Sequence, residues 1–221
     1  MSQRTVEEYL ETIGALEERE NPVSTTSIAQ SMGLSLASVS EMLRRLSEKG
    51  LVEYTPYGGA GLTEEGRQRF LRLTRQHHLW EVFLNQYLGI GWEEVYHHAC
   101  SLEHATSDLV AEKLAQFLGN PESCPHGSPI PESNLERPSS SGITMADLEV
   151  GQSARMLSVI IERNPEFLRY LTSLGLTPGA NVKVLEKAPY DGTLTIEVNN
   201  ATKAVGREAA SLIMVKPHGN H

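Results

Sequence analysis

Cys100, Glu103 and His104 place a thiol, a carboxylate and an imidazole at i, i+3 and i+4 in the run HHACSLEHATSDLVAEKL. On an α-helix those offsets share one face, so the three side chains can address a common object. Sulfur, oxygen and nitrogen donors together suit a divalent transition metal better than Mg2+ or Ca2+. Three ligands do not complete a coordination sphere, so further donors must come from elsewhere in the chain. Glu8 and Glu11 in VEEYLETIGAL, and His77 and Glu81 in RQHHLWEVFL, are helically spaced pairs that could supply them. Cys124 and His126 in CPHGSPIP add a second thiol and imidazole, which could ligate a metal or merely order a Pro-rich turn. The neighbouring acids Glu7, Glu17 and Glu18 read as a solvated helix face. His78, His97 and His98 have no motif around them and read as exposed.

These donors must be positioned by the elements that carry them. Residues 3–20 have the apolar stripe of an amphipathic helix, broken at Asn21-Pro22. The segment VSTTSIAQSMGLSLASVSEMLRRLSEKGLVEY divides at Gly33 into helices near 25–32 and 36–49, with Ser24 or Thr25 and then Ser35 as N-caps. After Gly50, LVEYTPYGGAGLTEEG looks like two strands around a Gly-rich turn. Helix, turn, helix and hairpin make a winged helix-turn-helix, a DNA-binding unit. A long helix is expected over 64–88 and a second, bearing Cys100, over about 92–118. Two helices cannot close a core alone, so this region suggests a dimer interface. Residues 119–142 are rich in Pro, Gly and Ser, at linker density, and five short strands with one helix follow, the pattern of a small β-barrel.

The chain is therefore mainly α with a small β domain. The boundaries drawn are a winged helix-turn-helix over 1–74, a helical dimerisation and metal-binding region over 75–120, a linker over 121–142 and a β domain over 143–217. With 39% hydrophobic residues in 221, the chain can bury an ordinary core. No apolar run reaches membrane-spanning length and the N-terminus lacks a signal-peptide profile, so a cytoplasmic location without a membrane partner is expected. Two cysteines form no disulfide framework. A net charge of −9 weighs against a nucleic-acid partner. The acidity is concentrated after residue 75, however, and Glu8 and Glu11 belong to the proposed metal site. Non-specific DNA binding should be weak and helped by the metal.

Taken in order, EEYLETI, SIAQSMGLSLASVSEMLRRLSEKGLVEY, LTEEGR, the R-x-H-x-L-x-E-x-F-L pattern around His77 and AC-x-x-EH at 99–104 resemble the diphtheria-toxin-repressor family of metal-dependent transcriptional regulators. LEVGQSARMLSVI and the residues after it resemble the SH3-like, FeoA-type domain of the longer members. The resemblance implies a cytoplasmic homodimer that binds a palindromic double-stranded DNA operator when loaded with Mn2+ or Fe2+, with Zn2+, Co2+ or Cd2+ able to substitute in vitro. It implies a repressor controlling metal homeostasis, not an enzyme, with no small organic substrate. It also carries ligands over: Glu8 and Glu11 fall where manganese-type members have carboxylates, and Cys100 where iron-type members have cysteine. Glu103 and His104 match both branches, and His77 and Glu81 match an ancillary site. Tyr96 stands where iron-type members have a histidine. Cys124 and His126 match a second site of some long members, which Glu162 or Glu166 could complete.

The helix beginning at Ser35 should enter the major groove. Ser35, Ala37, Ser38 and Ser40 permit close approach and offer hydroxyls; Glu41 could accept from a cytosine amino group. Arg44, Arg45 and Lys49 suit phosphates. Two other functions compete. A winged-helix redox sensor would use Cys100 and Cys124. A metal-dependent hydrolase would need a cleft and an open coordination position, but no HExxH motif, phosphate loop or nucleophile elbow occurs.

Overall fold

The computed structural model describes residues 2–17, 19–135 and 142–218, which fall into two compact units. The first holds residues 1–76 together with 103–106 and the described part of 131–137. Its helices are α1 (Gln3–Leu16), α2 (Thr25–Met32), α3 (Leu36–Glu48) and the start of α4 (Glu64–Leu88). Each short helix begins on a polar cap. The Ser24 hydroxyl accepts from the Ser27 amide and the Ser35 hydroxyl from the Ser38 amide. Gly33, at φ 65°, ends α2 in the left-handed region and turns the chain into α3. Leu10 and Ile13 of α1 meet Ile28, Val39, Leu43 and Leu46 in one core, all fully buried.

Close approach of α1 to α4 needs a missing side chain: a Cβ on Gly14 would stand 2.7 Å from the Phe70 ring. Strands β1 (Val52–Thr55) and β2 (Gly59–Leu62) pair antiparallel, Val52 opposite Leu62, and form the wing. Val23 adds an isolated bridge to Ala60. Glu17 is no solvated acid. Its carboxylate accepts from the Leu62 amide at 2.7 Å and from Arg67 at 2.9 Å, pinning the wing to the end of α1. Glu18 lies outside the described residues.

The second unit holds residues 77–102, 107–130 and the described part of 138–221. The helix expected over 92–118 is in fact two, α5 (Val95–Glu103) and α6 (Asp108–Phe117). The break follows from local chemistry: the Thr106 amide turns back onto the Glu103 carbonyl, and the Ser107 hydroxyl caps α6 at Val110. Leu79 and Val82 pack on Ala111 and Ala115, while Leu84 packs on Val95 and Ala99. These clusters are small. Tyr87, Leu88, Leu109, Val110 and Phe117 stay exposed beside them.

The C-terminal part is an antiparallel sheet in the order β3-β8-β4-β5-β6-β7. Its strands are β3 (Ile143–Thr144), β4 (Ser153–Val159), β5 (Asn181–Lys187), β6 (Leu194–Val198), β7 (Ala201–Val205) and β8 (Ile213–Pro217). The two-residue β3 was too short to show in the sequence. Helix α7 (Pro165–Leu174) buries Leu168 and Leu171 against Met156, Val184 and Ile196, each side chain contributing about 2 kcal/mol. A four-residue helix, α8 (Arg207–Ala210), precedes β8. Of the expected linker, residues 136–141 lie outside the described residues; 123–129 are folded, with Ser123 bridged to Pro129.

Candidate metal centres and DNA-reading helix

In the first unit, Glu11 from α1 meets Glu103 and His104, one donor atom of each lying within 4.8 Å of the others. Glu103 is almost wholly buried at 1% exposure, while Glu11 and His104 remain half-open. His104 is oriented by Glu7, an acid that the sequence presents as part of a solvated helix face. Its Nδ1 stands 2.8 Å from Glu7 Oε2, and its Nε2 lies on the Glu103 side, 3.4 Å from Oε1. A carboxylate on one ring nitrogen fixes the tautomer and leaves the other nitrogen for a cation. Glu7 is thus not a free surface acid. The spacing of Glu7 from Glu11 on α1 was visible in the sequence, but nothing in it marked Glu7 above Glu8. The Glu8 carboxylate pairs with Arg4 at 3.1 Å on the exposed side and does not join this cluster.

In the second unit, His78, Glu81, Cys124 and Glu162 each bring one donor atom within 4.8 Å of the rest. Helix α4 presents His78 and Glu81 one turn apart, so both face the same way. Cys124 comes from the loop 123–129, which closes on itself through the Cys124 amide to Ser128 and the Gly127 amide to Cys124. Glu162 comes from the segment between β4 and α7 and accepts a short hydrogen bond from Ser128. His126, fully buried, sets its Nδ1 3.2 Å from Glu81 Oε1 and 3.9 Å from Cys124 Sγ. Glu166, the alternative to Glu162, lies in the first turn of α7 and is not part of the cluster.

Burial decides the charge states. It would raise the Glu81 carboxyl, but hydrogen bonds from His126 and His77 outweigh it and hold the group ionised, below the ordinary carboxylate range. His126 is the counterpart: burial disfavours its charge, yet the bond to Glu81 raises it above the usual imidazole value. Burial lowers His78 and, aided by Glu81 and Glu162, pushes the Cys124 thiol well up. The Nδ1 of His78 is buried without a hydrogen-bond partner, the kind of orphan a bound ion satisfies. Two carboxylates, a thiol and imidazoles out of water fit a divalent transition metal, whose binding would release the thiol proton.

His78 therefore corrects the expectation of an exposed side chain, because α4 turns it, at 5% exposure, into the unit's interior. His97 and His98 are exposed. His77 is buried differently: Nε2 lies 3.1 Å from Glu81 Oε1 and Nδ1 4.0 Å from Cys100 Sγ. Cys100 itself is half-buried and faces His77, one helical turn before Glu103 in α5. Tyr96 packs its ring on His77 at 4.6 Å.

On α3 the apolar face is buried and the opposite face is bare. Ser35, Ala37, Ser38, Glu41, Arg44, Arg45 and Lys49 are exposed, and Ser40 is half-buried. Glu41 and Arg45 are joined by an ion pair one turn apart. The wing tip projects Tyr57, fully exposed at φ 65°.

Residues 1–60 match the family description "Iron dependent repressor, N-terminal DNA binding domain". Residues 63–132 match "Iron dependent repressor, metal binding and dimerisation domain", and residues 143–217 match the FeoA domain. The diphtheria toxin repressor of Corynebacterium efficiens is 32% identical over 192 residues, covering 83% of this chain and 84% of that protein. The chain belongs to the diphtheria-toxin-repressor family. Within it, the iron-dependent repressor IdeR of Mycobacterium tuberculosis is 29% identical over 230 residues, covering 96% of each chain. A manganese-dependent transcriptional repressor solved in complex with manganese superposes with a TM-score of 0.88 at 32% identity, covering 95% of this chain and 98% of that one. ScaR with bound Cd2+ gives 0.84 at 29% identity, covering 96% and 98%.

The present chain is thus a metal-dependent transcriptional repressor by family, with a winged DNA-binding domain, a helical metal-binding and dimerisation domain and an SH3-like FeoA-type domain. Members of the family are transcriptional repressors and not enzymes. No described helix is long and apolar enough to cross a membrane.

Proposed function

We propose that this repressor acts in the cytoplasm as a homodimer, binds a palindromic operator when loaded with Mn2+ or Fe2+, and so controls metal homeostasis. One observation carries the reading. Glu11 stands on α1, whose Leu10 and Ile13 are in the same core as α2 and α3, and its carboxylate meets Glu103 and His104. The DNA-reading unit therefore contains donor atoms for a cation. Glu11 and Glu103 carry like charges at close range, which opposes the arrangement when nothing offsets them. A bound divalent ion supplies the positive charge that favours it, so loading biases the equilibrium towards one placement of α1.

The remaining residues act on DNA or on the dimer. Ser35, Ser38 and Ser40 offer hydroxyls to the groove, Ala37 allows close approach, and Arg44, Arg45 and Lys49 meet phosphates. Glu41, held by Arg45, presents a carboxylate to base edges. The exposed apolar residues of α4 and α6, Tyr87, Leu88, Leu109, Val110 and Phe117, fit burial against a second copy. A two-fold dimer of such readers matches a palindrome. His78, Glu81, Cys124, His126 and Glu162 form a second centre, with His77 buttressing Glu81. Cys100 lies near the first centre in the chain and faces His77.

A thiol redox switch is the weaker reading, since a reactive cysteine needs a lowered pKa and burial pushes Cys124 the other way. The deciding experiment titrates metal-stripped protein with Mn2+, Fe2+ and Zn2+ and follows binding of an operator selected from random duplexes. Restored affinity with Mn2+ or Fe2+, lost in Glu11→Gln, is the expected outcome. Equal affinity with and without metal would sink the proposal.

A further inference from the structure

Both ring nitrogens of His126 are committed. Nδ1 faces the second centre through Glu81 and Cys124, while Nε2 lies 2.7 Å from the backbone carbonyl oxygen of Trp92. A carbonyl oxygen only accepts, so Nε2 carries a hydrogen and only Nδ1 is left for a cation. Trp92 is itself anchored from the far side. Its indole Nε1–H donates to Thr172 Oγ1 at 2.9 Å, and its ring packs against the core of the FeoA-type domain. The Thr172 hydroxyl in turn donates to the Leu168 carbonyl within α7. The loop bearing His126 is held on its other flank as well: the Val159 amide of β4 donates to the His126 carbonyl at 3.2 Å.

We propose that Trp92 is the positioning residue of the second centre: its carbonyl fixes His126 to ligate through Nδ1, and its indole, tied to Thr172, holds that carbonyl in place. The FeoA-type domain then acts on the second centre by two routes. Glu162 supplies a donor directly, and α7 orients His126 through Trp92. A partner on the distal nitrogen of a ligating imidazole is worth about 10–100-fold in metal affinity. The ring matters as a lever on a backbone atom, which is why no donor-type motif points to residue 92. The proposal rests on the second-centre reading above.

The test uses the full chain. Loaded with diamagnetic Zn2+, long-range proton–nitrogen NMR of the histidines should show His126 with metal on Nδ1 and hydrogen on Nε2. In Cd2+ titrations of stripped protein, Thr172→Val and Trp92→Ala should weaken the second equivalent about ten-fold and leave the first unchanged, whereas Thr172→Ser should restore it. Thr172→Val conserves volume, so it reports even if Trp92→Ala fails to fold. Hydrogen on Nδ1, or a second equivalent unaltered in Thr172→Val and in folded Trp92→Ala, overturns the proposal. Glu81→Gln separates the two claims. If it removes the second equivalent while the Thr172 and Trp92 variants do not alter it, only the role of Trp92 fails. If it too changes nothing, the second centre itself is wrong and the proposal falls with it.

Discussion

The two candidate centres differ in hardness, burial and construction. The donors gathered in the first unit are oxygen and nitrogen, partly buried, and come from α1 and the two consecutive residues Glu103 and His104. The second includes a thiol, is almost wholly buried, and draws on α4, the 123–129 loop and the segment after β4. Hard, accessible donors suit a cation that exchanges with its surroundings, such as Mn2+ or Fe2+. A buried thiol-containing set suits a softer ion held for longer. The contrast suggests a division of labour within one chain: the first centre senses, and the second secures the fold of the unit around it.

The sharpest way to break that contrast is His104→Ala. Metal-activated operator affinity, read by fluorescence anisotropy, should fall at least about 100-fold, the scale of losing a ligand rather than its support. Equal damage from a second-centre variant would erase the distinction. Cys124→Ser tests the other side: the second equivalent of Zn2+ should weaken about 50-fold, while the first equivalent of Mn2+ is unmoved in the same titration.

Gly127→Ala attacks construction instead of chemistry. Gly127 sits at φ 85°, and a Cβ there would stand 1.9 Å from the Leu157 carbonyl oxygen of β4. Backbone strain and overlap should cost about 2 kcal/mol, seen as a lower urea midpoint. The second equivalent should weaken with it and the first should not.

The smallest effect concerns Glu20 in the first unit, which accepts from the Ser27 hydroxyl at 2.6 Å and the Ser24 amide at 2.9 Å. Those bonds, the one from Ser27 first, lower its carboxyl below the ordinary value. A depressed folded value contributes stability above the unfolded carboxyl value of about 4.3 and loses it as pH falls through the folded one. The advantage of the native chain over Glu20→Gln should therefore be present near neutral pH and shrink as the pH falls below the ordinary carboxyl range. A gap that widens on acidification would contradict it.

Local pattern was enough for most of the fold. Ser24 and Ser35 as caps, Gly33 as the turn, the 64–88 helix and the five longer strands were all legible, because short-range capping and periodicity determine them. The donors near 100–104 were equally plain, since three sit within one helical turn and a bend. The α5–α6 break was missed because the apolar stripe on either side masked the Thr106-Ser107-Asp108 start signal. Which carboxylate of α1 turns inward was not legible. Glu7, Glu8 and Glu11 are alike in type, and only the packing of α1 against residues 103–106 sends Glu7 to His104 and Glu11 to the cluster, leaving Glu8 to its own-helix partner Arg4.

From its own pattern the sequence determined the order of the longer elements and a metal-binding chemistry, because helical spacing puts donors on shared faces whatever surrounds them. Only the tertiary structure decided which donors meet. It brought His78, read as exposed, in beside Glu81 and Cys124, took Glu162 and not Glu166 of the two acids the resemblance offered, and set the Trp92 carbonyl against His126, which no side-chain pattern could reveal. The physical reason is that orientation and burial are set by contacts between segments far apart in the chain, which local spacing does not encode.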